Sequence, residues 1–74
     1  MLLEKHRREK MLTQKEVAEI LGVSTRYYRS IELGTAFPRQ KVLNALEDLF
    51  EKPQRVLLAK NVEEVPNYMK TYLR

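Results

Sequence analysis

A glycine that can end one helix and a serine that can begin the next, separated by a single residue, constrain this fold more than any other feature of the sequence. Residues 13–16, Thr-Gln-Lys-Glu, have the form of a capping box, in which the first and last side chains each bond the other's backbone amide. Gly22 can take the positive φ that ends a helix, and one residue later Ser24 is a second good N-cap. The sequence therefore predicts a helix, a tight turn, and another helix over residues 24–33 that ends at Gly34.

The rest of the chain also favours helices, since only two glycines and three prolines interrupt its 74 residues. The fold class we expect is all-α, a compact bundle of about five short helices with a short C-terminal helical extension. We expect residues 1–60 to form the main domain and residues 61–74 the extension. The remaining predicted elements are a helix from Leu2 to about Lys10, an amphipathic helix of about 12 residues from Arg39, a short helix from Gln54 to about Lys60, a connector at 61–65, and a last short helix that begins at Pro66.

Positive charge is concentrated in the first half of the chain. Residues 1–41 hold nine Lys and Arg against five Asp and Glu, whereas residues 42–74 hold five of each. A polyanion binder needs such a basic half, because each neutralised phosphate releases condensed counterions. A merely solubilising surface is the alternative. The chain has no cysteine, no apolar run of transmembrane length and no signal-peptide pattern, so we expect a soluble cytoplasmic protein.

The second helix of the central pair is predicted to have a packing side and a reading side. Tyr28 and Ile31 lie three residues apart and define the inner face. The outward set is then Thr25, Arg26, Arg29, Ser30 and Leu33, with Tyr27 at the flank. An arginine can donate two hydrogen bonds to a guanine edge, and a hydroxyl can bond either way. Residues 13–33 therefore predict a helix-turn-helix unit that reads the major groove with helix 24–33.

At this point the chain resembles the Cro/repressor, or XRE-type, helix-turn-helix regulators of bacteria and phages. The resemblance covers about residues 3–58. The motifs that carry it are Leu12-Thr13-Gln14, Val17-Ala18, Leu21-Gly22-Val23-Ser24, Ile31-Glu32, Gly34 and Pro38.

The resemblance implies a role for individual positions. Base reading would fall to Thr25, Arg26 and Ser30, with Arg29 near base or phosphate. Arg7 and Glu32 would form a structural ion pair that ties the first helix to the end of the reading helix. The DNA backbone would be contacted by Arg39 and Lys41, and Gln14 would touch a phosphate or an end base. Apart from the resemblance, the flank position of Tyr27 lets its phenol reach a phosphate.

Departures from the family pattern lie outside the central pair, among them Gln40 and Glu47, which stand where Leu and Ala are frequent. His6 stands where the family usually has an apolar residue, and we expect a partly buried helix histidine there. Met11 replaces a common helix-ending glycine, so the turn at that point is expected to be strained or differently closed. Residues 51–53, Glu-Lys-Pro, replace a typical Gly-Val-Ser link into the fifth helix.

The function we expect is sequence-specific binding to a double-stranded DNA operator by a small transcriptional regulator that represses as a homodimer. No enzyme, metal, cofactor, membrane or small-molecule ligand is expected, since the lone histidine has no partner for a metal site and no catalytic motif is visible. The apolar stripe of the last helix packs either on its own domain or on a second chain. The candidate dimer residues are Leu57, Tyr68, Met69, Tyr72 and Leu73.

Two alternatives stay open at the level of sequence. Residues 12–24 also resemble the start of excisionase-type winged helices, which usually place a β-wing after the proline. The other alternative is an antitoxin-like or other protein-binding module on the same scaffold, using Leu33, Phe37 and the tail stripe.

Overall fold

A computed structural model describes residues 1–73, and its regular structure in that range is entirely helical. The predicted all-α bundle is therefore confirmed, and the β-wing of the winged-helix alternative is not formed within residues 1–73. The elements are α1 (Leu2–Glu9), α2 (Gln14–Leu21), α3 (Thr25–Leu33), α4 (Gln40–Phe50) and α5 (Gln54–Leu57), followed by two 3-10 helices at Val62–Glu64 and Asn67–Leu73.

The main core lies where α2 and α3 pack against α4 and the ends of the chain's other helices. Tyr28 and Ile31 of α3 are almost fully buried, as their three-residue spacing predicts. Ala18 on α2 is also buried, and its small side chain lets α3 approach closely. Each fully buried large apolar side chain contributes about 1.5–3 kcal/mol. The other members of this core are Leu3, Val17, Val42, Leu46, Phe50 and Leu57.

Local capping fixes the turn between α2 and α3. The amide of Glu16 donates to Thr13 Oγ1 at 3.0 Å, and the amide of Thr13 donates to Glu16 Oε1 at 2.8 Å, so the capping box forms. Gly22 ends α2 with φ 74°. Ser24 Oγ then accepts from the amide of Tyr27 at 3.0 Å and begins α3. The predicted helix, turn and helix are confirmed, with their boundaries set by these side chains.

Two residues other than glycine occupy the left-handed region of the backbone. Met11 has φ 59° in the turn after α1, and Glu51 has φ 54° at the end of α4. A side chain there clashes with its own backbone, at a cost of about 1–2 kcal/mol. The strained turn expected at Met11 is therefore present.

The C-terminal part differs from the sequence prediction. Helix α5 stops at Leu57 rather than near Lys60, and the expected connector contains the 3-10 helix Val62–Glu64, which Asn61 caps by accepting from the amide of Glu64 at 3.1 Å. The amide of Lys60 donates to Glu64 Oε2 at 2.9 Å. This local side-chain bonding competes with continuation of α5.

The apolar stripe of the last helix divides between packing and solvent. Met69 and Leu73 pack against a second small core, whereas Tyr68 and Tyr72 are exposed. The prediction for Leu57 was wrong, because its side chain is fully buried in the chain's own core and cannot contribute to a surface between two chains. The second core consists of Leu2, Val56, Ala59 and Val65.

Candidate nucleic-acid interface

Helix α3 turns one face into the protein and the opposite face into solvent. Arg26 and Arg29 are exposed on the outer face, and Thr25 and Ser30 beside them are half-buried. The predicted base-reading residues therefore share one side of one helix. Leu33, the fifth residue predicted to face outward, is 70% exposed at the end of the same helix.

The hydroxyl of Ser30 has a fixed internal partner. Ser30 Oγ donates to the carbonyl oxygen of Arg26 one turn earlier, at 3.1 Å. With its proton used in this way, the hydroxyl presents only lone pairs to the outside. A base edge that meets Ser30 in this rotamer must therefore offer a donor, as adenine N6 and cytosine N4 do.

The start of α4 adds positive charge beside the helix-turn-helix. Arg39 lies over the Tyr27 ring, with its guanidinium carbon 5.8 Å from the ring centroid, which is within cation–π distance. Arg39 and Lys41 are exposed, and α4 begins without a side-chain cap, so its first amides are free to bind an anion. The cleft between the two elements is lined by Leu21, Gly22, Val23, Arg39, Lys41 and Val42.

A buried ion pair joins α1 to α3. Arg7 Nε donates to Glu32 Oε2 at 2.6 Å, and the two side chains are 9% and 4% exposed. Arg7 Nη1 also donates to the carbonyl oxygen of Leu12 at 2.8 Å, which holds the turn after α1. The acidic residue of the basic helix α3 is thus directed into the protein and away from the exposed face.

Glu32 accepts from more partners than the sequence indicates. The Tyr28 hydroxyl donates to Glu32 Oε2 at 2.5 Å, and Gln14 Nε2 donates to Glu32 Oε1 at 3.0 Å. Burial by itself would raise the pKa of Glu32, but hydrogen bonds from Arg7, Tyr28 and Gln14 outweigh burial and hold this pKa below its ordinary value. Burial, reinforced by Glu32, raises the pKa of the Tyr28 phenol.

The Gln14 side chain makes hydrogen bonds within the protein, whereas a residue that only contacts phosphate would point into solvent. Besides its bond to Glu32, its Oε1 accepts from Arg29 Nε at 3.2 Å. Gln14 is 18 residues from Glu32 and 15 from Arg29. No local pattern indicates contacts at such separations, so the sequence could not predict this link.

His6, the residue before Arg7 on α1, is also buried. It is 3% exposed, its Nδ1 lies 3.2 Å from Glu9 Oε1, and its buried Nε2 has no hydrogen-bond partner among residues 1–73. Burial lowers the pKa of His6, although Glu9 acts in the opposite direction. In the part of the chain described, no group of three His, Asp or Glu side chains could hold a metal ion.

These contacts give a positively charged surface on a rigid helical frame. The exposed arginines of α3 and the cations at the start of α4 face solvent, while the acid of α3 is neutralised internally. Such a surface can combine base contacts with phosphate contacts. Within residues 1–73, no helix is both long enough and apolar enough to cross a membrane.

Comparison with known families agrees with this geometry. A model of the family described as helix-turn-helix matches residues 3–53, which is more than half of the chain. Comparisons with curated proteins and with solved structures gave no match. The predicted resemblance is thus confirmed, and the chain belongs to the XRE-type helix-turn-helix family of DNA-binding transcription regulators.

Proposed function

We propose that the protein binds double-stranded DNA sequence-specifically and represses transcription by occupying an operator. The outer face of α3 carries this proposal, because two exposed arginines stand there beside two hydroxyl side chains. The major groove is wide enough for a helix, and these side-chain types pair with base edges. Base reading is assigned to Thr25, Arg26, Arg29 and Ser30, all within the DNA-binding unit formed by residues 1–60.

Phosphate contacts are proposed at the edge of this face. Arg39 and Lys41 at the start of α4 would neutralise the backbone on one side of the groove, and Tyr27 beneath Arg39 would support it. Each neutralised phosphate contributes about 0.9 to the slope of log affinity against log salt. Lys41→Ala should therefore weaken binding to all sequences alike and reduce that slope by about one.

We further propose that the regulator binds as a symmetric homodimer on half-sites about one helical turn apart. Phe37 is 75% exposed and lines a groove with Arg55, and Arg55 Nη1 donates to the hydroxyl of the exposed Tyr68 at 3.3 Å. This places two exposed aromatic side chains on adjoining surface. Phe37→Ser should convert the dimer to a monomer in analytical ultracentrifugation, whereas Met11→Ser, at an apolar residue elsewhere that is even more exposed, should leave it dimeric.

Selection of bound duplexes from a random pool, followed by anisotropy titrations, tests the DNA proposal. The selected sites should share a palindromic consensus. On that consensus Arg26→Ala should lower affinity about 10- to 100-fold, the range for loss of a bidentate base contact. Lys5→Ala, which removes an exposed cation from α1, serves as the charge-matched control and should change affinity little. Binding without sequence preference, or equal losses in both variants, would refute sequence-specific recognition by α3.

The protein-binding alternative is supported by one observation, the high exposure of Leu33 and Phe37. An antitoxin-like module would need such a surface and would not need the arginines. It predicts that Arg26→Ala and Ser30→Ala leave the function intact, while Tyr72→Ala abolishes it. The repressor proposal predicts instead that Arg26→Ala and Ser30→Ala impair the function.

A further inference from the structure

Gln14 connects the exposed face of α3 to the buried ion pair. Its Nε2 donates to Glu32 Oε1 at 3.0 Å, and its Oε1 accepts from Arg29 Nε at 3.2 Å. Glu32 is in turn held by Arg7 Nε at 2.6 Å and by the Tyr28 hydroxyl. A continuous chain of hydrogen bonds therefore runs from the core of the protein to one of the two exposed arginines.

The charges at its two ends fix the orientation of the Gln14 amide. A carboxylate only accepts and a guanidinium only donates, so the NH₂ group of Gln14 must face Glu32 and its oxygen must face Arg29. The amide cannot flip without facing a donor with a donor and an acceptor with an acceptor. The direction in which Arg29 is held thus follows from the buried carboxylate.

The way in which Arg29 is held leaves its terminal nitrogens free. Gln14 uses only Nε, and no hydrogen bond to either Nη group of Arg29 occurs within residues 1–73. The two Nη groups of a guanidinium match the paired acceptors O6 and N7 of guanine. Arg26, by contrast, lies on the same face with no side-chain partner among these residues.

We propose that Gln14 is a positioning residue, which orders Arg29 so that its Nη groups meet a guanine edge in the major groove. This inference rests on the proposed DNA-binding function and gives Gln14 a different role from the phosphate contact predicted from the sequence. An arginine ordered before binding loses less side-chain freedom when the complex forms. Loss of the tether should therefore lower affinity about 3- to 10-fold.

A double-mutant cycle tests the link on the selected DNA consensus. Gln14→Met keeps the length of the side chain and removes both hydrogen bonds. Alone, or in an Arg26→Ala background, it should lower affinity by its full factor, but in an Arg29→Ala background it should have no further effect. It should also relax the preference at the one guanine that Arg29→Ala relaxes. Its salt slope should not change, because a neutral side chain is replaced by a neutral one.

Two results would overturn the positioning role while leaving the repressor proposal standing. An equal effect of Gln14→Met in all three backgrounds would mean that Gln14 contacts DNA by itself. A loss of about 0.9 in salt slope for Arg29→Ala, with base preference retained, would mean that Arg29 binds phosphate. By contrast, absence of sequence-specific binding in the unmodified protein would overturn the repressor proposal and the guanine contact together.

Nuclear magnetic resonance of the arginine Nε–H groups provides a readout that needs no DNA. In the free protein Arg29 should be more ordered than Arg26, and Gln14→Met should make the two alike. Equal mobility of both arginines in the unmodified protein would overturn the tether. Gln14→Ala serves as a second variant, and a urea unfolding curve for each variant confirms that it is folded.

Discussion

Removal of the Glu32 carboxylate should destabilise the protein strongly, because the group is buried and accepts hydrogen bonds from three side chains. The group is 4% exposed and accepts from Arg7 Nε at 2.6 Å, from the Tyr28 hydroxyl at 2.5 Å and from Gln14 Nε2 at 3.0 Å. In Glu32→Ala, the guanidinium of Arg7 stays buried with no opposite charge. The phenol and the amide lose their acceptor as well.

The expected loss can be worked from these contacts. Breaking a buried ion pair by removing one partner costs about 3–5 kcal/mol, because an uncompensated charge remains in the interior. A domain of this length has a total free energy of unfolding of about 4–11 kcal/mol, from the usual range per residue. Glu32→Ala should therefore remove a large part of that total. Arg7→Met combined with Glu32→Ala should cost less than the sum of the single variants by about 2–3 kcal/mol, since no unpaired charge is left.

Urea unfolding followed by circular dichroism at pH 7 measures these differences. Glu19→Ala, which removes an exposed carboxylate from α2, is the matched control and should change stability by less than about 0.5 kcal/mol. A loss below about 1 kcal/mol for Glu32→Ala would refute the reasoning, because that is the scale of an exposed ion pair. Additive single variants would refute the coupling between Arg7 and Glu32.

The same carboxylate predicts a pH dependence. The pKa of Glu32 is lower in the folded chain than its ordinary value of 4.5, so its contribution is fully present above pH 4.5 and is lost as pH falls through the lower, folded pKa. The stability difference between the unmodified protein and Glu32→Gln should therefore shrink below pH 4.5. A difference that is constant from pH 7 down to pH 3 would contradict the assignment.

Three further predictions concern single positions and the same unfolding assay. Met11→Gly should stabilise by about 0.5–1 kcal/mol, because relief of the strain at φ 59° exceeds the added chain entropy of glycine in the unfolded state; a loss would contradict the strain. Gly22→Ala should destabilise by about 0.5–1 kcal/mol, because the strain at φ 74° exceeds the unfolded-state entropy that alanine removes and the space around an added Cβ is empty. The folded pKa of His6 lies below the ordinary 6.5, so its contribution is present above pH 6.5 and is lost as pH falls from there through the folded value, by at most about 1.4 kcal/mol per unit. His6→Leu should remove that slope, and a slope that is the same in both proteins would contradict it.

The central helix-turn-helix could be predicted from the sequence because its boundaries depend on neighbours in the chain. Thr13 and Glu16 are three residues apart, and Gly22 needs nothing beyond its own backbone to end α2. Burial of Tyr28 follows from helical spacing. The caps are decided by bonds within about one turn of helix, and the burial of Tyr28 is indicated by the helical period, so both are visible to patterns over short stretches of sequence.

The tail and the Gln14 link could not be predicted because distant packing decides them. Met69 and Leu73 find a surface made by α1 and α5, while Tyr68 on the same 3-10 helix does not. The apolar stripe predicted with α-helical spacing is therefore split in the structure into packed and exposed side chains. The contacts of Gln14 likewise depend on how α2 and α3 cross, which no residue spacing within either helix specifies.

The buried Arg7–Glu32 ion pair compensates the negative charge that an acidic residue brings to the basic helix α3. A free carboxylate on α3 would oppose the approach of phosphates to Arg26 and Arg29, since like charges in a low-dielectric setting repel strongly. Arg7 neutralises Glu32 from within the core. The neutral Gln14 amide donates to Glu32 and, through its oxygen, accepts from Arg29 at the surface. Replacement of the pair by apolar residues could keep the fold, but it would remove the buried acceptor that holds the NH₂ group of Gln14 and leave only the contact with Arg29. On the DNA-binding function proposed above, the ion pair would therefore order the surface of α3 as well as stabilise the fold.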